Sequence, residues 1–207
     1  MKLLTITVGA LSTNCYILVD DVAAECAVID AGDHGKRIAE ELARRNMVPK
    51  YVLSTHGHAD HTGGVLAVVS LSGGQFGIGA ADRDMALAPP EWLTAILPGF
   101  QAPPQPSLLL NGGEVLRVGN TVIEAIATPG HTPGSMSYKV GDEVFSGDTL
   151  FRGNIGRYDL PGGDGGQELA SIRGKLLTLD DAVRVHPGHG PSTTIGHERR
   201  SNPYLQG

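Results

Sequence analysis

Short apolar runs recur along the chain, most of them closed by glycine, aspartate or proline. They are LLTITV (3–8), CYILV (15–19), CAVID (26–30), YVLS (51–54), FGIG (76–79), EVLRV (114–118), TVIEAIAT (121–128), SMSYKV (135–140), EVFS (143–146) and VRVH (183–186). Their β-branched residues and turn-forming flanks predict strands. Between them the apolar spacing lengthens. In GKRIAEELARRN (35–46) Ile38 and Leu42, and Ala39 and Ala43, repeat at i, i+4. In GQELASIRGKLLTL (166–179) Leu169, Ile172, Leu176 and Leu177 form one stripe, with Asp164 upstream as a cap. These spacings predict helices, with weaker patterns over 63–71 and 81–88. Runs of strands with inserted helices predict sheets covered by helices on their outer faces.

At 207 residues the chain is long enough for one sizeable core. A net charge of −6 and the absence of any basic block argue against a nucleic-acid partner. No run reaches the roughly 18 apolar residues of a membrane span, and polar residues 5, 7 and 12–14 interrupt the N-terminal stretch, so it reads as two strands rather than a signal peptide. Cys15 and Cys26 are not a C-x-x-C pair and lie in apolar runs, which predicts two buried free thiols in a reducing, cytoplasmic compartment. Residues 89–106 hold six of the 13 prolines and read as a surface connection; the sharper alternative is a lid carrying Trp92 and Phe100 near a site.

Chemistry gathers where strands end. YVLS runs into THGHADH, IEAIA into TPGHTPG, EVFS into GDT, and VRV into HPGHG. Each end delivers histidine or aspartate beside glycine, whose freedom lets the backbone turn and approach closely. Imidazole is a good ligand for zinc, iron and similar ions. In HGHADH, His56 and His58 can serve one cation, and Asp60 and His61 a second. His131 and His189 can complete the two sets, and Asp148 can place one carboxylate oxygen on each. Both sets keep an open position, as catalytic metals require.

On the motifs THGHADH, PGHTPGS, SGDTLF and HPGHG the sequence resembles the metallo-β-lactamase superfamily over nearly its whole length. The resemblance implies an α+β fold, an αββα sandwich with its metal site at one edge, and supports the same seven ligands. GDTLFRGNIGRYDLPGGD (147–164) and HPGHGPSTTIGHERRSNPYL (186–205) look like the short, glyoxalase II-like branch, hydrolases of hydroxyacylglutathione thioesters. Only 18 residues follow His189, so a single domain over 1–207 is expected, without the helical C-terminal region by which typical glyoxalase II enzymes grip glutathione.

The expected reaction is thioester hydrolysis by a hydroxide bridging two divalent cations, most simply zinc, with iron or manganese also suited to these donors. Asp60 and Asp148 are the catalytic carboxylates of this reading, Asp60 also orienting the attacking oxygen. Arg157 and Tyr158 are candidates for the substrate pocket, or else part of a loop held by Asp159 and Asp164. Thr132 and Ser135 are expected to brace the His131 loop, and Asp30 to hydrogen-bond a ligand histidine or cap a helix with Asp33. His34 and His197 are expected to be exposed and His186 structural. The rival readings are a single-iron persulfide dioxygenase, a lactonase, and a metal-binding module without catalysis.

Overall fold

The computed structural model describes residues 1–20, 22–95, 97 and 99–206; the side chain of Trp92, named above for a lid, lies outside the described residues. Among the described residues two six-stranded sheets face each other. The first holds β1 (Lys2–Val8), β2 (Thr13–Val19), β3 (Glu25–Ile29), β4 (Val48–Leu53), β5 (Gln75–Gly79) and β6 (Leu108–Leu110), in that order. Its first three strands are antiparallel and the rest pair in parallel. The second sheet comprises β7 (Val115–Val118), β8 (Thr121–Ala127), β9 (Met136–Val140) and β10 (Glu143–Gly147). A small hairpin, β11 (Leu150–Phe151) and β12 (Asn154–Ile155), separates these from β13 (Arg184–Pro187) and β14 (Thr193–Thr194) of the same sheet. β13 runs parallel to β10.

Helices follow the crossovers: α1 (Gly35–Arg44), α2 (Ala59–Thr62), α3 (Val65–Ser72), α4 (Arg83–Leu87), α5 (Glu91–Thr94), α6 (Gly165–Ser171) and α7 (Ile195–Ser201). The predicted helix over 166–179 is shorter than its apolar stripe. α6 starts where the Asp164 carboxylate accepts from the Gln167 amide at 3.0 Å, and the chain widens into a π turn over Ile172–Leu176, around Gly174. The sequence reading also passes over β6 and α7.

Both faces of the central strands are buried, and the period of two sorts them. Tyr16, Leu18, Ala27 and Ile29 point between the sheets to meet Ile123, Met136, Tyr138 and Phe145. Cys15, Ile17, Cys26 and Val28 point outward under Ile38 and Leu42 of α1 and Val65 and Val68 of α3. Val144 and Val185 face the other way, under Ile172, Leu176 and Ile195. The result is the expected αββα sandwich. Both cysteines are free and buried, and burial pushes the Cys26 thiol up to about 12. No helix among the described residues is long and apolar enough to cross a membrane.

Candidate metal centre

Four strand ends open at the same edge of the sandwich. β4 leads into Thr55, His56 and His58, and the single turn of α2 then carries Asp60 and His61. β8, β10 and β13 lead to His131, Asp148 and His189. All seven side chains meet there. His56, His58 and His131 offer ligand atoms within 4.8 Å of one another, as do His56, His61 and Asp148, and Asp60, His61 and His189.

Each of four histidines has one ring nitrogen set against a partner outside and the other turned inward; for His56, His131 and His189 that partner is a hydrogen bond, for His61 an ion-pair contact. His131 Nδ1 donates to the Arg157 carbonyl at 2.7 Å, and His189 Nδ1 to the Leu11 carbonyl at 3.0 Å. His61 Nδ1 lies 3.1 Å from Asp30 Oδ2, and His56 Nδ1 3.1 Å from Thr55 Oγ1. Asp30 also accepts the Thr55 amide at 2.7 Å, so one carboxylate shapes the start of the loop and orients its last histidine. Such partners set the tautomer that leaves the inner nitrogen free to ligate.

The inward nitrogens crowd. His131 Nε2 is 3.0 Å from His58 Nδ1, and His61 Nε2 is 3.2 Å from His189 Nε2. Asp148 spans the two groups, with Oδ1 3.5 Å from His61 Nε2 and Oδ2 3.8 Å from His131 Nε2 and 3.5 Å from His189 Nε2. His56 Nε2 and Asp148 Oδ1 are buried without a hydrogen-bond partner, as are His61 Nδ1, which sits at ion-pair distance from Asp30, and Glu168 Oε1. Buried polar atoms are ordinarily paired, so a cluster of acceptors facing one another with orphans among them fits cations.

The electrostatics divide the same way. Burial, then the neighbouring imidazoles, hold His56 well below its ordinary pKa, and burial with His131 takes His58 to about 3. Both are neutral donors, the form a metal takes. Around His61 burial is outweighed by Asp60, Asp148 and Asp30, and its pKa rises well above the ordinary value. Burial is likewise outweighed at His189, by Asp60 and Asp148. Three carboxylates around His61 create a place where positive charge is strongly favoured.

Two buried acids that the sequence reading passed over fix the loops. Asp82, just beyond β5, accepts the Gly57 and Gly134 amides at 2.8 and 2.6 Å and the Thr132 hydroxyl at 2.6 Å. Thr132 and Ser135 do brace the His131 loop, their hydroxyls 2.7 Å apart. Glu168 of α6 accepts the His131 amide at 2.6 Å. The signal for Asp82 was present, an acid after an apolar strand; Glu168 reads in sequence as an ordinary surface position of an amphipathic helix. Asn14 of β2 pins the His189 loop, its amide donating to the Pro187 and Gly190 carbonyls at 3.1 and 2.9 Å.

A cavity of about 350 Å³ opens onto Asp148 and its neighbours, with Leu11, Leu93, Leu160 and Arg157 in its walls. Two expectations need adjustment. Leu93 comes from α5, in the proline-rich segment, which therefore does more than connect; Leu93, Leu97 and Phe100 pack with Ala59 of α2. Arg157 reaches the cavity, but its Nε and Nη2 both bind the Asp159 carboxylate at 2.9 Å, and Tyr158 lines a neighbouring cavity with Tyr204 instead. His34 and His197 are exposed, and His186 is buried with its Nε2 2.6 Å from Glu143 Oε2.

With that geometry in view, the comparisons are informative. A family model described as the metallo-beta-lactamase superfamily matches residues 8–189. Hydroxyacylglutathione hydrolase GloC of Haemophilus influenzae is 35% identical, over 99% of this chain and 98% of that protein. Among solved structures, BLEG-1 B3 metallo-beta-lactamase superposes with a TM-score of 0.92 at 36% identity, covering 100% of both chains. TTHA1623 in a di-iron-bound form superposes at 0.85 with 35% identity, covering 98% of this chain and 100% of that one.

Proposed function

The chain belongs to the metallo-beta-lactamase superfamily of metal-dependent hydrolases, and from that premise we propose that it hydrolyses small-molecule thioesters in the manner of a glyoxalase II. The observation that carries this reading is the convergence of seven nitrogen and oxygen donors, with orphaned inward atoms, at the floor of an open cavity. His56, His58 and His131 with one oxygen of Asp148 would hold one divalent cation, and Asp60, His61 and His189 with the other oxygen a second. Cations so held, zinc or alternatively iron or manganese, supply a Lewis acid for a carbonyl oxygen and a water acidic enough to attack at neutral pH. The relatives support two details: one is named a hydroxyacylglutathione hydrolase, and one neighbour is described with two irons.

The chain's own groups have defined parts. Asp60 accepts from Thr13 Oγ1 at 3.3 Å and lies 3.2 Å from His189 Nε2, so its carboxylate is held as an oriented anion at the cavity wall. Asp148 faces the cavity between the two groups of donors. The leaving group asks little of the protein. A thiolate, with an ordinary pKa near 8.5, departs without a general acid, whereas an amide nitrogen needs a proton.

Metal analysis of the purified protein, coupled to assays with S-lactoylglutathione and a simple lactone, tests the reading. Two metals per chain with thioester cleavage, both lost in Asp148→Ala and His58→Ala, are expected. One iron per chain with oxygen uptake on a persulfide would replace this reading with the dioxygenase, and an active metal-free variant would refute the mechanism.

A further inference from the structure

Resting on the thioesterase reading, we infer that the part of the substrate beside the scissile bond is apolar and uncharged, and that Leu11, Leu93 and Leu160 recognise it. Among the described residues, the wall of the 350 Å³ cavity outside the proposed ligands is made of these three leucines and Arg157. The leucines come from three separate places: the turn between β1 and β2, α5, and the loop after β12. Their convergence is tertiary, so no single amphipathic element explains it. Leu11 is 41% exposed although its own carbonyl orients His189, which leaves an apolar side chain at the rim of the cavity. Leu93 is 5% exposed and packed from behind by Leu97 and Phe100, so it forms a fixed wall.

Charge recognition is what the wall lacks. Arg157 is the one cation among the described lining residues, and both oxygens of Asp159 accept from it at 2.9 Å, one from Nε and one from Nη2. Asp159 takes two of the five N–H groups of this guanidinium and offsets its charge in an exposed pair, so a substrate carboxylate meets a cation that is already partly neutralised. A tripeptide thiol with two carboxylates therefore finds, among the described residues, a single cation that already carries a carboxylate. A volume near the low end of ligand cavities, about 300 Å³ upward, suits a short acyl chain on a small neutral thiol. Each methylene drawn from water onto such a wall favours binding by up to roughly fourfold.

The test uses the full-length, metal-loaded protein. Binding of non-cleavable thioethers is measured calorimetrically: N-acetylcysteamine carrying S-ethyl to S-hexyl groups, and S-hexylglutathione. Turnover of the matching N-acetylcysteamine thioesters and of S-lactoylglutathione is measured in parallel. Affinity is expected to rise at least about tenfold from ethyl to hexyl, with S-hexylglutathione binding no tighter than its neutral counterpart. Leu160→Asn and Leu11→Ser, both at incompletely buried positions, are expected to flatten the chain-length series while the melting temperature holds. A flat series in the parent, or tighter binding of the glutathione thioether, overturns the inference whether or not thioesters are cleaved. Binding in the expected order without any thioester turnover would instead overturn the hydrolase reading and leave the apolar site standing.

Discussion

Removing the carboxylate of Asp82 should unsettle the centre from a distance. Asp82 is fully buried, and its hydrogen bonds go not to the proposed ligand side chains but to the residue between His56 and His58 and the turn after His131. Burial raises its pKa, against the three donors that favour the anion. The approach is close: a Cβ on Gly134 would stand 2.5 Å from the Asp82 amide nitrogen, and one on Gly57 would stand 2.9 Å from its carbonyl oxygen. In Asp82→Ala the Thr132 hydroxyl keeps Ser135, but two buried amides lose their acceptor. At roughly 1–3 kcal/mol for each unsatisfied buried donor, the variant should be about 2–6 kcal/mol less stable. Asp82→Asn keeps one oxygen and turns an NH2 toward an N–H donor, so its loss should fall between parent and alanine. Urea unfolding of chelator-treated protein measures this without metal. Competition against a chromophoric chelator measures the second consequence, an affinity loss of about tenfold or more at the His56, His58 and His131 group. Stability within about 0.5 kcal/mol of the parent would refute the hydrogen-bond argument. A destabilised variant with unchanged metal affinity would show that the loops keep their shape without Asp82.

Other outcomes follow from the same geometry. Stripping metal with a chelator should lower the melting temperature by about 5–10 °C, since saturation at a hundred times Kd adds roughly 2.7 kcal/mol to a chain of this size; calorimetry with and without restored zinc checks it, and an unchanged transition would exclude metal binding by the cluster. Gly188→Ala places a Cβ 2.2 Å from Asp148 Oδ1 and 2.6 Å from His61 Cε1, so bound metal per chain, read by mass spectrometry, should drop by half or more. Asp20 accepts from the Val22, Ala23, Asn120 and Thr121 amides and the Thr121 hydroxyl, tying the ends of the two sheets, and these bonds hold its pKa below the usual carboxylate value. A lowered folded-state pKa adds stability above the unfolded value, about 3.9, which is lost as pH falls below it. Asp20→Asn should therefore melt lower than the parent at pH 6, and the gap should shrink toward pH 3; a gap independent of pH would discount the carboxylate's charge.

The seven positions that converge at the candidate metal centre were legible because of a local rule. A β-strand fixes where the chain leaves the sheet, and glycine beside a donor lets the exit turn sharply, so HGHADH, PGH, GDT and HPGH announced themselves one at a time. Their convergence was inferable from counting, since neither pair in HGHADH completes a site alone. The strands were visible from apolar runs, and both outer helical layers from Ile38 with Leu42 and from Ile172 with Leu176. The three-residue β6 was not, because LLL carries no period. The end of α6 was not, because the apolar stripe continues to Leu176 while the backbone widens around Gly174.

What escaped the sequence is the scaffolding of the donors, and the reason is physical. A ligand histidine needs two partners, one inward and one outward, and only the inward requirement selects a residue type. The outward partner of His131 is the carbonyl of Arg157, and that of His189 is the carbonyl of Leu11. Any residue supplies a carbonyl, so composition and spacing are silent about both. The same division explains Arg157 and Leu11: the sequence offered a side-chain reading of Arg157 and none of Leu11, yet each orients a histidine through its backbone. It follows that the side chains of these two positions are free to vary toward the cavity while their carbonyls hold the histidines. Specificity can then change at the wall without loosening the ligands, since Leu11 and Arg157 present one group to each.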